Sequence, residues 1–404
     1  MPPTPRCNPR SLNCQTGENR IDRADRGFNR GIKVHSAIKV CLVAGARPNF
    51  MKVAPLIREL RAHPDRFEYC LVHTGQHYDH EMSGVFFAEL DIPAPDFELG
   101  AGGGSHATQT AKIMVEFERV CEEYEPDIVI VVGDVNSTLA AALVAKKLHI
   151  AVAHVEAGLR SGDTGMPEEI NRMATDAISD YFFVTEESGL RHLEREGKDP
   201  ARVHFVGHVM IDNLFHQLEK LKCMDVARLS TTSIKSWARE YGVLTLHRPG
   251  NVDDPRVLAP MIRAIAEVAR DLPIVFPVHP RTREQLRKHG IALSDNFIVT
   301  GPLGYLDFLN LWKDARVVLT DSGGVQEETT AVGVPCLTLR DSTERPVTVS
   351  EGSNTLVGSD PGRIISAVQR ALAGQSRTTG RPRYWDGRAS QRIVSTLARQ
   401  MSAP

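Results

Sequence analysis

The apolar positions fall in short continuous runs, not in alternating stripes. Ile38-Lys39-Val40-Cys41-Leu42-Val43 opens the series, followed by Tyr69-Cys70-Leu71-Val72, Ile128-Val129-Ile130-Val131-Val132, Ala151-Val152-Ala153-His154-Val155, Tyr181-Phe182-Phe183-Val184 and Val203-His204-Phe205-Val206. A second series holds Val243-Leu244-Thr245-Leu246, Ile274-Val275-Phe276, Phe297-Ile298-Val299-Thr300, Val317-Val318-Leu319 and Cys336-Leu337-Thr338-Leu339. Short runs without alternation predict strands buried on both faces, as in parallel sheets. Helical spacing follows most runs, as at Pro55, Leu56, Ile57 and Leu60. The repeating unit is strand, loop, helix. It predicts an α/β chain of two doubly wound Rossmann-like domains facing each other across a cleft. Asp96-Phe97-Glu98-Leu99 makes a doubtful strand, with Pro93 and Pro95 just before it.

Composition divides the chain further. Residues 1–36 carry Arg6, Arg10, Arg20, Arg23, Arg26 and Arg30 with few large apolar residues, and are expected to form a disordered tail or to follow a start assigned too early. No apolar core follows their basic start, and Glu18, Asp22 and Asp25 do not suit a transit peptide, so no targeting segment is expected. The first domain is expected over 37–212 and the second over 213–375. A linker and final helix over 376–404 are expected to pack back on the first domain. The formal net charge of −2 gives no case for nucleic acid or a membrane surface, and no apolar stretch reaches the length of a membrane span. Seven scattered cysteines without a C-x-x-C pair read as reduced thiols and a cytoplasmic location.

The candidate chemistry sits where runs end. Thr320-Asp321-Ser322-Gly323-Gly324 joins a strand to a helix, and a helix start with two glycines suits an anion such as a nucleotide diphosphate. A turn in which the glycines only relieve sterics explains it equally well. Glu328 falls about one turn into that helix, within reach of a ribose hydroxyl. Arg47 and Lys52 follow the first strand and suit phosphate. Asp134 and Glu156 follow adjacent strands, and with Glu168 they would offer general acid/base groups around a sugar. Asp134 also fits a helix N-cap, and Glu168 and Glu169 fit the acidic first turn of a helix begun by Pro167. His247 closes the first strand of the second domain. His73 and His77 are four apart, but Gly75 between them disfavours a zinc site. Gly100-Ala101-Gly102-Gly103-Gly104-Ser105 follows no convincing strand, which disfavours NAD. No metal and no cofactor are expected.

Taken in order, these loops resemble the non-hydrolysing UDP-N-acetylglucosamine 2-epimerases, from about Ile38 to Gly358. The matching pieces are Gly45-Ala46-Arg47-Pro48 with Lys52, Thr74-Gly75-Gln76-His77, Gly133-Asp134, His154-Val155-Glu156-Ala157-Gly158-Leu159-Arg160, Pro167-Glu168-Glu169-Ile170-Asn171-Arg172, His247-Arg248, Asp321-Ser322-Gly323-Gly324 through Glu328, and Thr343-Glu344-Arg345-Pro346. The resemblance implies a glycosyltransferase-B-like fold, a homodimer and reversible inversion at C2 of UDP-GlcNAc by elimination and re-addition of UDP. It implies Asp134, Glu156, Glu168 and His247 as catalytic groups. Arg47, Lys52, Phe308, Ser322, Gly323, Gly324, Glu328 and Arg345 would bind the UDP-sugar. Gln76 and His77 would form an effector loop. Gly250, His208 and Leu303 depart from residues frequent in the family.

Two other activities share these features. A UDP-sugar glycosyltransferase would use the same fold, but the acid cluster disfavours it. A hydrolysing epimerase usually carries an attached kinase domain, for which this length is not expected to leave room. A silent nucleotide-sugar sensor is disfavoured by the intact Asp134, Glu156 and His247.

Overall fold

The computed structural model describes residues 37–75, 87, 89–375 and 380–401, apart from the Arg47 side chain. The expected tail over 1–36 and the Gln76-His77 loop lie outside them.

The apolar runs become two all-parallel sheets. In the first, β1 (Ile38–Ala44), β2 (Phe67–His73), β3 (Phe97–Glu98), β4 (Ile128–Val132), β5 (Ala151–Val155), β6 (Tyr181–Val184) and β7 (Val203–Phe205) are ordered β3-β2-β1-β4-β5-β6-β7. In the second, β8 (Gly242–Thr245), β9 (Ile274–Pro277), β10 (Phe297–Thr300), β11 (Val317–Thr320), β12 (Cys336–Thr338) and β13 (Asn354–Leu356) are ordered β10-β9-β8-β11-β12-β13. The doubtful segment at Phe97 is a two-residue edge strand beside β2. Its prolines precede the pairing residues, so they cost it no ladder bond.

Helices cover both faces of each sheet, which explains the continuous apolar runs. One face of the first sheet packs on the helix Arg47–Arg61 and the final helix Ala389–Met401, through Leu56, Ile57, Ile393 and Leu397. The other face meets the helices His106–Tyr124 and Asn136–Lys147, through Phe117 and Ala141. The second sheet lies between Pro255–Val268 with Pro361–Leu372 on one side and Val209–Cys223 with Tyr305–Trp312 on the other. The helix Val209–Cys223 also packs on Arg47–Arg61 and on Gly323–Val332, so it ties the two lobes together.

Each sheet reverses its strand order once, between β1 and β4 and between β8 and β11. Open α/β sheets bind ligands at the carboxyl ends of the strands flanking such a reversal. Those ends carry Gly45, Gly133-Asp134, Leu246-His247 and Asp321-Ser322.

Candidate active site

In the first lobe the site is built around Glu156, directly after β5. Its backbone is left-handed, with φ of 73°, which is costly for a residue with a Cβ. Its Oε2 pairs with the buried Lys52 ammonium, carried on the helix after β1. Its Oε1 has no hydrogen-bond partner among the described residues and lies 3.6 Å from both His208 Nε2 and Arg345 Nη2. Burial alone would raise this carboxyl. Lys52, then Arg345 and His208, more than offset burial and hold it well below the usual range. Gly133 makes room for the pair: its φ is 69°, and a Cβ there would meet Lys52 Nζ at 3.0 Å and Glu156 Oε2 at 3.4 Å.

Asp134 is not the N-cap of the following helix, a position held by Val135. Its carboxylate turns to Arg172 instead, which places Nε at 3.0 Å and Nη2 at 2.5 Å, both on Oδ2. Arg172 Nη1 also reaches Glu169 Oε2 at 2.7 Å. Glu169 is buried and accepts the Ser161 and Gly162 N–H groups as well, so it clamps the loop before its helix. Its neighbour Glu168 is half-buried, with no polar partner among the described residues. Of the two adjacent glutamates, only Glu168 keeps a free carboxylate.

In the second lobe the helix Gly323–Val332 starts at the end of β11 without a side-chain cap among the described residues. Its first N–H groups therefore keep their donor capacity. A Cβ on Gly323 would meet nothing within 4 Å, and one on Gly324 only Met210 Cε at 3.6 Å. Contacts within the protein do not demand these glycines. Asp321 does not cap the helix either. It is fully buried and accepts the His247 and Arg248 N–H groups and the His247 Nδ1, at 2.8 Å. That contact orients the His247 ring, which is 40% exposed.

Between the lobes lies a charged cage that the motifs did not reveal. Arg345 Nε and His208 Nε2 both meet Glu327 Oε1, the latter at 2.8 Å. His208 Nδ1 accepts the Met210 N–H at 3.3 Å, so Nε2 carries the proton given to Glu327. Burial pushes the Glu327 carboxyl up, but Arg345 and His208 hold it below its usual range. Glu186, buried after β6, sits near this cage, and burial keeps its carboxyl above the usual range. Burial would lower Arg345; Glu327, Glu156, Glu186 and Asp134 more than offset it.

A family model described as UDP-N-acetylglucosamine 2-epimerase matches residues 58–398. The chain belongs to the UDP-N-acetylglucosamine 2-epimerase family. A curated relative of that name from Methanocaldococcus jannaschii is 42% identical over 366 residues, covering 89% of this chain and 99% of the relative. The crystal structure of the M. jannaschii UDP-GlcNAc 2-epimerase in complex with UDP-GlcNAc and UDP is 40% identical, with a TM-score of 0.78, covering 90% of this chain and all of that one, 100%. A UDP-2,3-diacetamido-2,3-dideoxy-D-glucuronate 2-epimerase from Pseudomonas aeruginosa is 39% identical over 366 residues, covering 90% of this chain and 100% of the relative. The two-lobed architecture is the glycosyltransferase-B-like fold that the sequence led us to expect.

In this epimerase-family chain Lys52, Glu156 and Arg345 share one cage, with Asp134 within electrostatic reach of Arg345. Glu328 is buried, and its Oε1 accepts the Tyr305 hydroxyl at 2.7 Å. Phe308 is half-buried on the same helix as Tyr305. Sequence reading passed over Glu327, Glu186 and Tyr305 and noted His208 only as a departure. Glu327 adjoins the expected Glu328, and Glu186 ends a strand run. Strand-end position was the available signal for Glu186; nothing local marked Tyr305. Among the described residues no group of His, Cys, Asp and Glu is arranged to hold a metal.

Proposed function

We propose that this protein interconverts UDP-N-acetylglucosamine and UDP-N-acetylmannosamine by elimination and re-addition of UDP. The observation that carries the reading is the uncapped helix start at Gly323-Gly324, whose glycines no protein contact requires. Backbone N–H groups there suit a diphosphate, and stabilisation counts most where negative charge develops on the leaving group.

A base takes the C2 proton, its electron pair becomes the C1=C2 double bond, and the C1–O pair leaves with UDP. Return of UDP to C1 with a proton on the other face of C2 gives the epimer. Two acid/base groups are needed. We assign them to Glu156 and Asp134, with Glu168 as a further base and His247 stabilising the departing phosphate. Lys52, Arg345, Arg47 and the Ser322 turn hold the diphosphate, Glu328 the ribose, and Phe308 lines the same pocket. Lys52 and Arg345 now serve Glu156 and Glu327. A diphosphate that draws them off would leave Glu156 less stabilised as an anion and hence a stronger base.

The test is incubation with UDP-GlcNAc in D₂O without added cofactor, followed by NMR. UDP-ManNAc deuterated at C2 is expected. Stoichiometric free UDP with ManNAc would mean hydrolysis, and absence of turnover and exchange would overturn the reading. The P. aeruginosa relative is named for a sugar with further substituents. A parallel assay with UDP-2,3-diacetamido-2,3-dideoxy-glucuronate therefore decides between the two sugars. A homodimer is supported by exposed Val115, Ile170 and Met173 on two helices that flank Asn136–Lys147. A cytoplasmic location is supported by the unpaired cysteines among the described residues. No helix of the described residues is long and apolar enough to cross a membrane.

A further inference from the structure

His154 is fully buried on β5 and takes no part in the chemistry above. Its Nδ1 lies 2.7 Å from Asp176 Oδ1, and its Nε2 lies 2.8 Å from the Gly133 carbonyl oxygen. A carbonyl oxygen only accepts. Asp176 already accepts the Gly158 N–H at 3.0 Å and pairs with Arg160 Nη1 at 2.8 Å, so it faces the ring as an acceptor too. Both ring nitrogens therefore face acceptors. A charge on the ring would be balanced within the fold. Arg160 Nη1 shares Asp176 at 2.8 Å, and Arg160 Nη2 meets Glu196 at 2.8 Å, which closes a chain of alternating signs. The residues in register with His154 on β4 and β6 are Val131 and Phe182, which bring no further charge.

The two acceptors belong to two different turns. The Gly133 carbonyl directly precedes Asp134. Asp176 Oδ2 accepts the Gly158 N–H at 3.0 Å, two residues beyond Glu156. We propose that His154, as an imidazolium paired with Asp176, is a positioning residue that fixes the separation of the Asp134 and Glu156 carboxylates. The proposal rests on the reading of those two as the proton-transfer groups. A neutral ring would donate at one nitrogen only and release one of the two turns. A misplacement of about 1 Å can cost about 10²-fold in rate.

The test uses the full chain with isotope-labelled histidine. The wild-type ring of His154, assigned by its loss in His154→Gln, is expected to show both nitrogens protonated at neutral pH. His154→Gln should lower kcat about 10²-fold with KM and the UDP dissociation constant within about 2-fold of wild type. Asp176→Glu, which keeps the charge but moves it, should do the same, and it serves if His154→Gln fails to fold. A neutral ring, an unchanged kcat, or an equal loss of UDP binding would each overturn the proposal. Asp134→Asn and Glu156→Gln are assayed alongside. Turnover surviving in either would sink the acid/base assignment while leaving the ring state as measured.

Discussion

Lys52 and Glu156 close a buried ion pair beneath the cleft, and the same carboxylate keeps its other oxygen unbonded, 3.6 Å from Arg345. The pair therefore holds the carboxylate ionised without using up its second oxygen. Replacing Glu156 by Gln should lower kcat and C2 proton exchange about 10²–10⁴-fold. UDP binding should survive, because Glu156 itself is assigned no contact with the diphosphate. The variant leaves Lys52 buried without an anion, a loss on the order of 3 kcal/mol. Added UDP should return more of that stability to the variant than to the wild type. Proton exchange by NMR, UDP titration and thermal unfolding with and without UDP read the three effects.

The same cage sets an acid limit. Glu156 and Glu327 both have carboxyls held below their ordinary value, with burial opposed by Arg345 and His208, and by Lys52 at Glu156. A carboxyl depressed in the folded state contributes stability above its unfolded value, about 4.5, and loses it as pH falls further. In a Glu328→Gln background the urea midpoint should therefore hold from pH 7 to about 5 and drop steeply below about 4.5. In Glu156→Gln the starting midpoint is lower and the drop shallower. An equal acid slope in both proteins would place the sensitivity elsewhere.

Glu328 behaves in the opposite sense. Burial raises its carboxyl to about 7, although the Tyr305 hydroxyl bond lowers it in part. A carboxyl raised in the folded state costs nothing below its unfolded value and costs stability as pH rises through the folded one. Glu328→Gln keeps an acceptor for Tyr305 and removes the charge. It should be more stable than wild type at pH 8, by on the order of 3 kcal/mol, with no gain at about pH 4. If Glu328 accepts the ribose hydroxyls, wild-type affinity for UDP should gain a pH-dependent component near 7 that the variant lacks. Calorimetry of UDP binding at pH 6 and 8 on both proteins checks this.

The strand runs made most of the fold legible, because a parallel strand buried on both faces leaves a continuous apolar signature such as Ile128–Val132. The edge strand Phe97–Glu98 left none, since two residues are too few for any pattern. Strand ends also located Asp134, Glu156, His247 and the Ser322 turn. Legibility stopped where a side chain works through another element. Glu169 and Asp134 look like helix-start residues until Arg172 is seen to bridge them. Glu327 looks like any helical glutamate until Arg345 and His208 converge on it from 18 residues onward and 119 residues back. Such pairings depend on how the two lobes meet, which no local run encodes.

Gly324 offers the sharpest separation of fold from ligand. Alanine is the better helix former by about 0.5–1 kcal/mol, and a Cβ here would meet only the flexible Met210 Cε at 3.6 Å. Gly324→Ala should therefore keep or raise the melting temperature. A methyl group standing where the diphosphate approaches the backbone should cost about 1–3 kcal/mol of binding, or roughly 10–10²-fold in UDP affinity. A turn chosen only to relieve crowding within the protein predicts the reverse, with lost stability and intact binding. Thermal unfolding and UDP titration on this one variant distinguish the two. Unchanged UDP affinity would move the diphosphate away from this helix start.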